Sequence, residues 1–395
     1  MKSFVSRYTV AWTLFLSLCH PTSATTTFLR HQQQQQRRTQ TETCGVPTLT
    51  GDWERLADYP FALIESHGGF IDTNAFLVVG GYKFPDASIA TSDTYILDTT
   101  TDTWTQKATY PVADGITHGA MATDVANQRY FLCGGYIGGN PGPATDLCYV
   151  YNLSTDTWTP LPSLPSPRGA GGLVYNSVDD SLIFSSGAQR VSVGAQDSVD
   201  FGTTWTLNLA VPTWIETGVS PLVGNHVSSV TVTTTTAAER YYMFGGQVAE
   251  NEADGNLDIV AEYSNGSWTT RANLPQPVGH GNAAAVPYGT CGMLIAGGSV
   301  NGELGFFQRM LVLLSDFFGA VTFGLFDFLD FDPTPRRATT AEIAYYDIAT
   351  DSWTAVIGEL ESPAKTAVCD IEGDWLYCGL GGTETMYRRQ LVAAA

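Results

Sequence analysis

Asp93-Thr-Tyr-Ile-Leu-Asp-Thr-Thr-Thr-Asp-Thr-Trp104, downstream of the pair Gly80-Gly81, decides the fold. A β-branched and aromatic run, a polar turn and a tryptophan follow one another, the pattern of two short strands joined by a tight turn. The same order recurs along the chain. Tryptophans closing such a run stand at Trp53, Trp104, Trp158, Trp214, Trp268 and Trp353, at spacings of 51, 54, 56, 54 and 85 residues. Small-residue pairs interleave with them: Gly80-Gly81, Gly134-Gly135, Ser186-Gly187, Gly245-Gly246, Gly297-Gly298 and Gly381-Gly382. The turns repeat as well, as Thr-Thr-Asp-Thr-Trp104, Ser-Thr-Asp-Thr-Trp158 and Ala-Thr-Asp-Ser-Trp353.

A unit of about 50 residues holds four strands, and a four-stranded antiparallel sheet cannot bury both faces alone. Six such sheets arranged radially can. The pattern therefore predicts an all-β, six-bladed propeller of four-stranded antiparallel blades. The series opens on a lone Trp53 strand and ends on a lone Gly381-Gly382 unit. The N-terminal strand is expected to complete the last blade, closing the ring and covering its exposed edges.

Composition agrees. Of 395 residues 44% are hydrophobic and only 15% charged, with 40 glycines, as expected of a turn-rich all-β chain. The net charge of -20 argues against nucleic acid and against anionic membranes, both of which are met with Lys and Arg. An acidic surface favours cationic partners.

Residues 1–24 read as a secretory signal. Lys2 and Arg7 precede an apolar stretch from Val10 to Leu18, too short to span a bilayer, and Thr22 and Ala24 suit a cleavage site. Residues 25–43, with Gln32–Gln36 and Arg37-Arg38, are expected to be disordered, leaving 44–395 as the propeller. A secreted or secretory-lumen location follows, in which six cysteines remain after Cys19 is removed. Cys369 and Cys378 flank a turn at Gly373-Asp374 that sets them opposite one another, as a disulfide requires. Cys133 and Cys148 flank a turn-rich loop and are paired too, and Cys44 with Cys291 by elimination. Asn152-Leu-Ser and Asn265-Gly-Ser are glycosylation sequons. They fall at turns between third and fourth strands.

The apolar run, the diglycine and the aromatic nine residues before a tryptophan (Tyr95 and Trp104, Tyr149 and Trp158) resemble the kelch repeat over residues 51–390. Unit three departs from it with Ser186-Gly187 and Trp205, unit four with a shortened turn before Trp268. The resemblance implies that each innermost strand starts beside the central channel at one face. The candidate ligand-binding ring there is His67, His118, Arg168, His226, His280 and Lys365, a set suited to a carboxylate, a sugar or a metal held by neutral imidazoles. The loops after the diglycines open on the same face. One is acidic, and Glu250, Asp254 and Asp258 are candidate cation ligands. Their spacing is similar to the iron motif of plant nitrile-specifier kelch proteins, which ends in His where this chain has Asp258. An apolar insertion at about 305–338 lengthens unit five. It reads as a lid or partner-binding helix, a membrane-surface helix, or a translated non-coding stretch; charges at Arg309, Asp316, Asp327 and Asp330 exclude a transmembrane span.

No Gly-x-Ser-x-Gly, His-Glu-x-x-His, P-loop or dinucleotide fingerprint occurs. Two classes of function remain. The first is an extracellular recognition module for a protein or glycan at the channel mouth. The second is a carbohydrate-active enzyme on the same face, either a metal-free isomerase like the bacterial sialic-acid mutarotases or a copper- or iron-dependent oxidase or lyase. Calcium, copper and iron are the candidate cofactors. Galactose oxidase, also kelch-like, holds copper with two His and two Tyr, and its ligands find no residue-by-residue match here.

Overall fold

The computed structural model describes residues 45–86, 89–191, 199–233, 239–248, 255–280, 284–300 and 338–392. Six four-stranded antiparallel sheets form the blades of a propeller. Blade one is His67–Asp72, Ala75–Val79, Thr94–Asp98 and Thr103–Gln106, from the channel outwards. Blades two to five follow in chain order with the same up-and-down path. The last blade is Val368–Glu372, Trp375–Gly379 and Met386–Val392, and its outer strand is Thr48–Arg55, paired with Met386–Val392. The ring closes as the sequence predicts.

The second strand of each blade is covered on both faces, which is why it reads as a continuous apolar run, as in Phe76-Leu-Val-Val79. Outer strands meet solvent and keep one inward aromatic, such as Trp104 in Thr103–Gln106.

The repeated residues join blade to blade. The second glycine of every pair donates its N–H to a carbonyl on the approach to the next blade. The bonds are Gly81 to Ile116 (2.9 Å), Gly135 to Arg168 (2.7 Å), Gly187 to Gly224 (2.8 Å), Gly246 to Val278 (2.8 Å), Gly298 to Ala364 (2.9 Å) and Gly382 to Leu63 (2.6 Å). The first glycine sits at positive φ, and a Cβ there would meet the neighbouring backbone: 2.4 Å from the Ile116 oxygen at Gly80 and 2.3 Å from the Arg168 oxygen at Gly134. Blade three carries Ser186 instead, at φ 66°, and its hydroxyl donates to the Leu222 carbonyl at 2.8 Å.

Tryptophan and aspartate make a second clasp at the outer strands. Trp104 donates its indole N–H to the Ala57 carbonyl, and Asp102 accepts the Ala57 N–H. Trp158 and Asp156 hold Ala108 in the same way, and Trp353 and Asp351 hold Ala272. Trp214 and Trp53 reach the carbonyls of Pro162 and Glu359. Trp268 is the exception and donates to Thr204 Oγ1, beside the nine-residue outer strand Val211–Val219 of the irregular third blade.

Cys133–Cys148 and Cys369–Cys378 are disulfides between residues directly opposite on paired strands, as expected, and are consistent with an oxidising compartment. Cys291 is disulfide-bonded; Cys44, its expected partner, lies outside the described residues. So do the segments 1–24 and 25–43, Glu250, Asp254 and all of the 305–338 insertion except Ala338. Among the described residues no helix is long and apolar enough to cross a membrane.

Two outcomes follow from the clasps. Gly134→Ala is expected to destabilise the protein by about 2 kcal/mol or more, because the Arg168 carbonyl cannot retreat. Ser186→Gly should cost only about 1 kcal/mol, the worth of one buried hydroxyl bond. Urea melts of both variants check the difference, and equal losses contradict the clasp. Backbone N–H bonds hold the Asp156 and Asp351 carboxyls below the usual range, opposed by some burial. A carboxyl with a depressed folded-state pKa adds stability above its unfolded pKa, here 3.8, and loses that contribution as pH falls through the folded value. Asp156→Ala is therefore expected to be less stable than wild type at pH 7 and to approach it well below pH 3.8, measured as melting temperature against pH.

Candidate functional site

The inner strands of blades one to four are each entered through a sharp corner two residues before they begin, and a like corner precedes that of blade five. The corner residues in blades one to five are Glu65, His118, Ala170, His226 and His280, with φ between 52° and 57°. Such angles are uncommon for residues other than glycine. Ala170 shares them, so the bend belongs to the architecture and says nothing by itself about chemistry. Hydrogen bonds from blade to blade hold the corners: Glu65 N–H to Thr366 Oγ1 (3.0 Å), Gly119 N–H to His67 Nε2 (3.0 Å) and Ala170 N–H to the His118 carbonyl (2.7 Å).

The corners bring together side chains from four blades. Glu65 lies 3.4 Å from His118 Nε2 through one carboxylate oxygen and 3.9 Å from His280 Nε2 through the other. The rings of His118 and His226 are 4.8 Å apart, and those of His226 and His280 4.1 Å. All four side chains are 5–6% exposed. One donor atom each of Glu65, His118 and His226 lies within 4.8 Å of the other two.

Each imidazole is held by its other face. His118 Nδ1 meets Thr117 Oγ1 at 2.9 Å and His280 Nδ1 meets Ser299 Oγ at 3.0 Å. His226 Nδ1 bonds to Asn225 Oδ1, while Asn225 Nδ2 donates to Asp200 Oδ1 at 2.6 Å. The second bond fixes which end of the amide faces the ring. An amide oxygen only accepts, so His226 Nδ1 carries the proton.

Burial, then the nearby His67, Lys365 and Arg190, push His118 well below the ordinary histidine range. Its contact with Glu65 is therefore between a carboxyl group and a neutral ring. Tyr82 and Tyr136 flank His118 with ring centroids at 6.1 and 5.1 Å, and Arg190 stands over Tyr136.

Of the six ring residues read from the sequence, His118, His226 and His280 converge and Lys365 stands close enough to act on His118. His67, also close enough to act on His118, is the first residue of its strand and fully buried, with burial lowering its pKa to about 3. Arg168 stacks on Phe201 at 3.5 Å and on Trp205 at 4.9 Å, and burial lowers its pKa to about 10. Asp258 accepts from Asn273 Nδ2 at 3.1 Å; its companions Glu250 and Asp254 are not among the described residues. Sequence reasoning missed Glu65, Asn225, Tyr82, Tyr136 and Arg190. Glu65 was two residues from His67 but carried no pattern of its own. Asn152 and Asn265 lie at turns joining third and fourth strands, at the opposite end of their blades from these corners.

A kelch motif model matches residues 125–165, the stretch that holds Gly134-Gly135, Asp156 and Trp158. The chain is a six-bladed β-propeller that carries a kelch motif in its second blade. It is similar to the kelch-like protein terF of Aspergillus terreus (strain NIH 2624 / FGSC A1156), 28% identical over 268 residues, 64% of this chain and 53% of the relative. The propeller thus spans about half the length of the curated relative it matches. It also resembles the solved structure of YjhT, with a TM-score of 0.57 at 14% identity, covering 86% of this chain and 97% of that one. That likeness concerns the fold alone.

His67 accepts a buried hydrogen bond between two blades of this propeller. His67→Ala removes the acceptor of the buried Gly119 N–H and opens a void, and is expected to cost about 2–4 kcal/mol in urea unfolding. A loss under about 0.5 kcal/mol, the size of an ordinary surface change, contradicts this.

Proposed function

We propose that the protein is a recognition module that binds a glycan or sugar acid on the loop-bearing face, over the channel mouth. One observation carries the reading: Glu65, His118, His226 and His280 arrive from four blades at one point on the axis. Polar side chains gathered in one spot and held by fixed neighbours are what orients a small ligand. Their low exposure favours a ligand that inserts a narrow polar group, such as a hydroxyl or carboxylate, over a flat protein surface. Tyr82 and Tyr136 add aromatic walls beside them.

A second reading is a metal-free carbohydrate isomerase. The carboxyl of Glu65 facing Nε2 of both His118 and His280 favours it, since such a pair can pass a proton.

Thermal-shift measurements with a panel of sugars and sugar acids test the proposal. At least one is expected to raise the melting temperature of the wild type and leave a His118→Ala/His226→Ala variant unmoved. Absence of any shift, or equal shifts in both proteins, overturns it. Exchange of anomeric signals of the bound sugar, read by NMR, would select the isomerase.

A further inference from the structure

We infer that Glu65, His118 and His226, with His280 beside them, hold a divalent transition-metal ion on the propeller axis. The inference uses the residues of the proposed recognition site but not its ligand.

The donor spacing suits an ion. In a tetrahedral site with bonds of about 2.1 Å, neighbouring donors stand roughly 3.4 Å apart. Glu65 and His118 are separated by 3.4 Å, and Glu65 and His280 by 3.9 Å. The donors of Glu65, His118 and His226 lie within 4.8 Å of one another, so binding an ion asks for a small inward movement of these side chains.

The imidazoles are oriented as metal ligands are. A ligating histidine uses one nitrogen on the metal and donates the other to an oxygen, which fixes its tautomer and its plane. All three rings have an oxygen partner at Nδ1: Thr117, Asn225 and Ser299. For His226 the assignment is complete, because Asp200 sets Asn225 and Asn225 sets the ring. Thr117 and Asn225 immediately precede their histidines at equivalent corners, whereas Ser299 reaches His280 from another segment.

The chemistry of the set names the class of ion. Several imidazole nitrogens and a single carboxylate suit zinc, iron, copper or nickel, whereas calcium and magnesium require mostly oxygen ligands.

The test uses the full chain, secreted from a eukaryotic host and purified without chelating resin. Elemental analysis of the wild type is expected to find about one zinc, iron, copper or nickel per chain. After removal of metal by dialysis against chelator, added Co²⁺ is expected to restore about one equivalent and give the visible absorption of a nitrogen-ligated site. Glu65→Gln and His226→Ala should each lose most of the bound metal. Asn225→Leu, which leaves every ligand in place, is expected to weaken Co²⁺ binding by roughly 10–100-fold and to alter its spectrum. Far-UV circular dichroism identifies variants that fail to fold. If the ligand variants do so, the wild-type cobalt titration and the Asn225→Leu protein decide. Less than about a tenth of an equivalent in the wild type, with no cobalt binding, overturns the inference. So does metal retained equally by wild type and His226→Ala. Neither result touches sugar binding, which is read by thermal shift in metal-free buffer.

Discussion

The ring depends on a hydrogen bond repeated six times. The second residue of each small pair gives its N–H to the neighbouring blade, and the bond from Gly382 to Leu63 completes the circle. Each bond is worth only about 0.5–1.5 kcal/mol. Their importance is geometric. They set the separation of adjacent blades at the channel, and a first residue without a side chain is what lets the two backbones approach. The tryptophan and aspartate clasps do the same at the rim, where they hold one residue by both its N–H and its carbonyl. Inner and outer clasps together leave a blade little freedom to tilt.

That rigidity makes the axial site a property of the whole ring. Glu65, His118, His226 and His280 belong to four blades, and no two are closer than about fifty residues in sequence. Their approach to within contact distance follows from closure. The acceptors behind the imidazoles come from corners and short strands that the inner clasps also hold, so orientation of the rings and spacing of the blades share one set of bonds. Blade three departs most from the repeat. It offers Ala170 at its corner, carries Ser186 in place of a glycine, and extends its outer strand. Its irregularity falls where no axial ligand is contributed.

Blade number, strand order and closure were legible because a propeller converts a spatial period into a sequence period. Tryptophan, aspartate and the small pair recur because each makes the same contact in several blades. Both disulfides were legible too: a two-residue turn sets Cys369 opposite Cys378, and Cys133 and Cys148 flank one turn-rich loop. The site was only half legible. Histidines stood out as rare residues in one register, and three of them do meet. The register itself depends on where each inner strand begins. His67 and Arg168 look alike in sequence, yet one accepts the Gly119 N–H beside His118 and the other lies flat on Phe201.

The amino-acid sequence by itself determined the class of fold, because local turn chemistry and periodic burial act over a few residues and are written in order along the chain. Only the tertiary structure decided that Glu65 meets the histidines, that Arg168 lies on Phe201, and that Asp200 turns Asn225 towards His226. Most of those relations join residues far apart in the chain, and they depend on a one- or two-residue offset at each corner. An offset of that size leaves no trace in residue type or spacing, but it moves a side chain from the channel to the core.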